Sequence, residues 1–294
     1  MALQDEIFSP RFESRERRNA ICKWLFFSAN LAGILVLFLL LSKVLLDSIG
    51  WLDLQFITSF PSRFPERAGI LPALYGTVYV MVITAVFAIP LGIAAAVFLE
   101  EYAKGSKLLS IIQLNIYNLA GVPSIVYGIL GLTVFVRWMQ LGRSLLAGGL
   151  TMGLLVLPVI IVTAQEAIRA VPESWRHAAY ALGASKWQTV RYVVLPSALP
   201  GILTGIILAL SRAIGETAPL IPIGALTFIR TIPKSPFDSF TILPIQIYNW
   251  TSRPRDEFRA IAAAAIVVLL GVLLAMNSIA IFLRNKYQGR IKEV

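Results

Sequence analysis

His177-Ala-Ala-Tyr-Ala-Leu-Gly183-Ala-Ser-Lys186-Trp-Gln-Thr-Val-Arg191-Tyr-Val193-Val-Leu195-Pro196 is the core of a polar stretch, Glu166 to Pro196, between two strongly apolar segments. It carries a helical logic of its own. The small residues Ala178, Ala179 and Ala181 open a short helix, and Gly183 permits a sharp turn because it has no Cβ to clash. Lys186, Trp187 and Arg191 begin a second, amphipathic piece. Leu195-Pro196 is expected to end it, since proline suits the first turn of a new helix and not the interior of an old one. A bent pair of short helices between two membrane spans is what a chain needs when a soluble partner pushes on a membrane domain.

Working outward, composition sets the class. Hydrophobic residues make up 57% and charged residues 14%, and mean hydropathy is +0.75. These values describe an integral membrane protein and not a soluble globule. A length of 294 residues leaves room for about six spans of roughly 20 residues each. The net charge of +10 is spread over termini and loops, a pattern of membrane orientation and not of a nucleic-acid-binding face. Cys22 is the one cysteine, which excludes an internal disulfide framework and a cysteine-based metal cluster. With a single histidine, a zinc or haem site is not expected.

Six apolar stretches are expected to cross the bilayer, over residues 24–46, 72–99, 108–136, 145–164, 197–218 and 259–283. The first is too long for a signal peptide and reads as an uncleaved span behind a basic tail, residues 1–23, with Arg11, Arg15, Arg17, Arg18 and Lys23. A second basic tail, residues 284–294, follows the last span. Those tails share one side with the loops after the second and fourth spans, and that side carries more Lys and Arg than the other. Both termini and the organising loop, residues 166–196, are therefore expected in the cytoplasm. The apolar portion 240–250 of the long loop before the last span is too short to cross and is expected to lie along the interface. No Walker-type glycine-rich loop is present, so ATP hydrolysis would belong to another subunit.

Two spans carry polar residues that lipid would not tolerate. The third holds Asn115, Asn118, Gly121, Pro123 and Ser124. Irregular backbone at that depth survives only where protein buries it or where it lines a watery cavity. A packed proline kink and a translocation pathway both satisfy that rule. The fifth holds Arg212 and Glu216, and each charge costs about 2.5–3.5 kcal/mol at a helix centre. Four residues apart, they are expected to share one helix face and to pair. That pair is open to two readings, a structural tie or an anion way-station in which Arg212 meets the anion and Glu216 moderates its grip. Gly149 with Gly153, and Gly201 with Gly205, have the spacing that lets helices approach closely.

The organising loop resembles the cytoplasmic signature of ABC importer permeases: Glu-Ala-Ala, then Gly, then Ile-x-Leu-Pro at fixed spacing. Ala178, Ala179, Gly183, Leu195 and Pro196 match, Val193 replaces Ile, and His177 stands where the family has Glu. Asn118-Leu-Ala-Gly-Val-Pro-Ser-Ile-Val-Tyr-Gly128 and Ser211-Arg-Ala-Ile-Gly-Glu-Thr-Ala-Pro-Leu220 are similar to stretches of the phosphate-specific transport permeases, with a Thr217-Ala218-Pro219 ending of the PstA type. The resemblance implies an all-α type I importer permease with six membrane helices and a coupling helix. It implies a heterodimer with a PstC-like permease, a PstB-like ATPase dimer beneath, and a PstS-like phosphate-binding protein outside. ATP would be used by the partner, and this chain would need no cofactor. Coupling to the ATPase would fall to Ala178, Ala179, Gly183, Ala184 and Lys186, and the substrate pathway to Arg212, Glu216, Asn118 and Ser124. Importers of sulfate or molybdate remain open on the same residues, as does a non-transporting membrane scaffold or sensor. An intramembrane enzyme is poorly supported, because Glu166, His177 and Glu216 have no spacing that suggests a metal site or dyad.

Overall fold

The computed structural model describes residues 12–292 apart from 104, 106, 226, 227 and 230. The start of the expected basic tail with Arg11, Lys104 after the second span, Arg230 in the long loop and the last two residues lie outside the described residues. Every regular element described is helical. Five helices are long and apolar enough to cross a membrane, and the count reaches six when the bent pair 107–120 and 124–138 is taken as one span.

α1 (Phe12–Ser48) is one unbroken helix, so it already runs through the second half of the expected tail. Its apolar side chains are exposed along its length, as suits a helix bordered by lipid or by another subunit. α2 (Leu54–Thr58) is a short helix capped by Asp53, whose carboxylate accepts from the Phe56 amide at 2.7 Å. α3 (Leu71–Tyr102) crosses next and ends in a wide π-turn at Phe98–Tyr102.

The third expected span is two helices. α4 (Lys107–Ala120) and α5 (Ser124–Trp138) meet at 106°. The cause lies in the local sequence. Pro123 has no amide hydrogen to continue the ladder, while Gly121 and Val122 turn the chain by donating to the carbonyls of Asn118 and Leu119 at 3.0 and 3.1 Å. Tyr127, buried on α5, donates its hydroxyl to the Leu119 carbonyl at 2.8 Å and ties the two arms together.

α6 (Leu145–Arg169) is the most buried span, and α3 and α8 pack against it. Its glycines set the spacing. A Cβ on Gly149 or Gly153 would run into Ile83 or Phe87 of α3, and one on Gly201 would run into Ala167. At Gly149 the approach allows Thr84 to donate across the interface to the Gly149 carbonyl at 3.0 Å. These glycines are packing positions.

α7 (Glu173–Ala181) follows Pro172, and α8 (Lys186–Ala213) starts after a turn in which Gly183 has φ +83°. Ser185 and Gln188 form a reciprocal capping box at the start of α8. The expectation that Leu195-Pro196 ends the second piece is corrected here. A π-turn at Val190–Val194, in which the Leu195 amide bonds the Val190 carbonyl, widens the helix just before the proline, and α8 runs through. The second piece of the organising loop and the fifth expected span are thus one rod.

α9 (Leu220–Ile223) and α10 (Leu243–Thr251) lie in the long segment after α8, and α11 (Asp256–Lys292) is the last long helix. The stretch 240–250 does not lie along the interface as expected. Phe240, Thr241, Ile242, Leu243, Ile245 and Trp250 are buried within the protein. Thr77 of α3 accepts the Leu243 amide at 2.9 Å and so satisfies one of the exposed donors at the start of α10. Gly76 makes room, since a Cβ there would collide with the Thr241 carbonyl, which is backbone and cannot step aside. Gly76→Ala is expected to cost about 1–3 kcal/mol as overpacking, read as a lower unfolding midpoint in a thermal scan of the detergent-solubilised protein. An unchanged midpoint would contradict this seating of α10.

Candidate functional site

Two assemblies stand out, one where α8 ends and one on the loop between α6 and α8. α8 ends at Ala213, and the backbone amides of Gly215 and Glu216 turn back onto the carbonyls of Arg212 and Ala213. Arg212 therefore occupies the last helical turn, where the carbonyl ends of the helix favour a cation. Glu216 lies beyond the helix, which corrects the expected shared helix face. The pair still forms, with Nε to Oε1 at 3.6 Å. The side chain of Arg212 is 63% exposed in the isolated chain and that of Glu216 is 22%. A contact this long and open is a weak tie, of the kind that contributes about 0–1 kcal/mol. The guanidinium is free to change partners.

The tertiary structure brings Arg212 to the break in the third span. Arg212, Ala209 and Ala213 line a small space together with Leu119, Ala120, Val122 and Tyr127. Its volume of about 20 Å³ suits a single water and not a tetrahedral oxyanion. Asn118, exposed, and Ser124, half-buried, flank the break but are not part of that lining. Close packing fixes the turn that follows Glu216, because a Cβ on Gly128 of α5 would come within 2.5 Å of the Pro219 carbonyl oxygen. Ser211 donates to Asn277 of α11 at 2.6 Å and pins the end of α8 from the other side. The contributions of Tyr127 and Asn277 were not singled out from the sequence. A lone tyrosine or asparagine in an apolar run signals nothing until its partner is known.

α7 and the start of α8 enclose an open concave surface of about 670 Å³. Trp175, Ala178, Ala179, Leu182, Gly183 and Ala184 line it from one side, and Gln188, Thr189, Tyr192 and Val193 from the other. Ala179 is buried against the bundle, while Ala178 and Gly183 are exposed and Ala184 is half-buried. Leu182 is 89% exposed, and Trp175, Trp187 and Tyr192 are also exposed. Large apolar side chains gathered on a polar loop mark an interaction surface. Lys186 points elsewhere, with its Nζ 4.9 Å from the centre of the Tyr102 ring at the inner end of α3. His177 is exposed and is not itself one of the residues lining the concave surface, although its neighbour Ala178 is.

The all-helical fold with a broken span and an exposed loop is that of a membrane transport component, and comparison with known proteins agrees. Residues 88–286 match the family described as binding-protein-dependent transport system inner membrane component, and the chain belongs to that family. Among its relatives, it is 35% identical over 262 residues to the probable ABC transporter permease protein YqgI of Bacillus subtilis, covering 85% of this chain and 88% of that one. It is also similar to the phosphate transport system permease protein PstA 1 of Mycobacterium tuberculosis, 32% identical over 286 residues, covering 95% and 92% of the two chains. A bacterial alginate ABC transporter, solved with an alginate-pentasaccharide-bound periplasmic protein, shares the fold with a TM-score of 0.64 at 16% identity, over 90% of this chain and 94% of that one. The all-helical importer-permease architecture expected from the organising loop is thus the observed one.

Proposed function

We propose that this chain is a transmembrane permease subunit of an ATP-driven phosphate importer, moving inorganic phosphate across the bacterial plasma membrane by alternating access, with both termini cytoplasmic. The observation that carries the reading is Arg212, a loosely held guanidinium beside the broken span. Similarity to PstA-type permeases over nearly the whole chain supports the substrate. A cation in the last turn of a helix gives an oxyanion a weak way-station, and transport needs binding loose enough for release. The space of about 20 Å³ beside it is too small for the anion, so occupancy requires α5 and α8 to separate, as alternating access provides. The working complex would be a heterodimer with a PstC-like permease, a PstB-like ATPase dimer under the α7 surface, and a PstS-like binding protein on the outer face. ATP hydrolysis lies in that separate subunit, and this chain uses no cofactor.

Uptake of labelled phosphate at low external concentration, in cells with and without the chain, tests this with sulfate as the control. Selective loss of phosphate uptake is the expected result. Loss of sulfate uptake instead would keep the permease and replace its substrate, the second reading that an arginine site allows.

A further inference from the structure

The turn Glu100-Glu101-Tyr102 closes α3, and side chains from three other elements converge on it. From α6, Gln165 donates to the Glu100 carboxylate at 3.1 Å and Arg169 pairs with the same group. From α8, Lys186 lies over the Tyr102 ring. From α7 comes Arg176, whose ion pair is largely shielded from water, unlike that of Arg169, which is 59% exposed. The Arg176 side chain is 16% exposed and that of Glu101 is 7%. Arg176 Nη2 and Nε donate to Glu101 Oε1 at 2.9 and 3.1 Å, Nη1 donates to the Val171 carbonyl at 2.6 Å, and Nη2 also donates to the Ile168 carbonyl at 2.9 Å. One guanidinium thus joins α7, the inner end of α6 and the inner end of α3.

We propose that the Arg176–Glu101 pair is a strut that carries the motion of α7 into α3, making both positioning residues for transport. A charged pair removed from water cannot slip without exposing an unpaired buried charge, so it transmits displacement where an exposed pair would yield. The fork of the guanidinium fixes direction as well as distance, because its donors are rigidly spaced. α3 then delivers the movement across the bilayer, since it is a single rod whose outer end carries Gly76 and Thr77, the residues that seat α10. The inner loop is in this way linked to the outer segment 240–251. The strut rests on the importer reading, and it names which residues of this chain make hydrolysis productive.

The test uses the complete reconstituted complex with its ATPase and binding protein. The wild type is assayed first with phosphate, sulfate and molybdate. A wild type that imports another of these sinks the phosphate reading, and the strut is then measured with that anion. Arg176→Gln and Glu101→Gln are compared by anion imported per ATP hydrolysed, alongside the amount of assembled complex. The expected result is persistent ATP hydrolysis in assembled complex with transport per ATP reduced about tenfold, within the usual range of coupling between sites. Arg176→Lys keeps the ion pair and gives up the forked carbonyl bonds, so it is expected to recover part of the ratio. An unchanged ratio in both glutamine variants overturns the strut. So does a loss that simply tracks the amount of complex, which is what a folding role alone would give.

Discussion

Arg212→Gln is expected to reduce phosphate uptake by at least tenfold while leaving the assembled complex at its normal abundance. Its contact with Glu216 is long and largely open, so removing the charge forfeits little stability, on the order of 1 kcal/mol or less. The same change takes away the cation that faces the break between α4 and α5. A structural tie predicts the reverse, with a loss of complex and normal transport by whatever remains. Uptake and complex abundance, measured in the same cells, separate the two. Glu216→Gln adds a second comparison. With its counter-charge removed, Arg212 should hold the anion more tightly, so half-saturation should fall and maximal uptake should fall with it. Intact uptake in Arg212→Gln, with a normally assembled complex, would remove this residue from the pathway.

Leu182→Glu is expected to abolish transport for a different reason. Leu182 is 89% exposed at the turn between α7 and α8 and contributes little to the fold. A buried apolar anchor at the centre of an interface costs about 2 kcal/mol or more when lost, roughly a 30-fold weakening, and a buried carboxylate costs further. The ATPase subunit should therefore fail to co-purify with the variant, whereas helix content and membrane level should match wild type. Leu182→Ala should weaken the association without a charge penalty and fall between the two. Normal ATPase recovery with Leu182→Glu would place the docking surface elsewhere.

Much of this architecture was legible from local chemistry. Long apolar runs leave water as helices that satisfy their own backbone, so the approximate places of the long apolar helices follow from composition along the chain. Gly183, Ser185 and Gln188 act on their immediate neighbours, which makes the turn and the start of α8 readable in place. The resemblance of the organising loop and of residues 118–128 and 211–220 agrees with the family to which the chain belongs.

Other features depend on partners far away in the sequence. Pro196 looks like a terminator, but the π-turn before it widens the helix and carries it past. Residues 240–250 look interfacial because their length fits no span, and burial became available only because Gly76 and Thr77, more than 160 residues earlier, provide a gap and a hydrogen-bond acceptor. Arg212 and Glu216 read as a pair at helical spacing, whereas the end of α8 at Ala213 and its position against the 118–124 break came from packing. Arg176 and Glu101 were plain charges in loops until the fold buried them against each other. The sequence by itself therefore determined the class, the long apolar helices and the turn at Gly183, because those are decided by hydrophobic run length and by caps acting over a few residues. The tertiary structure alone decided which polar groups meet, because a buried charge or an unsatisfied amide is tolerated only where a distant element supplies its partner.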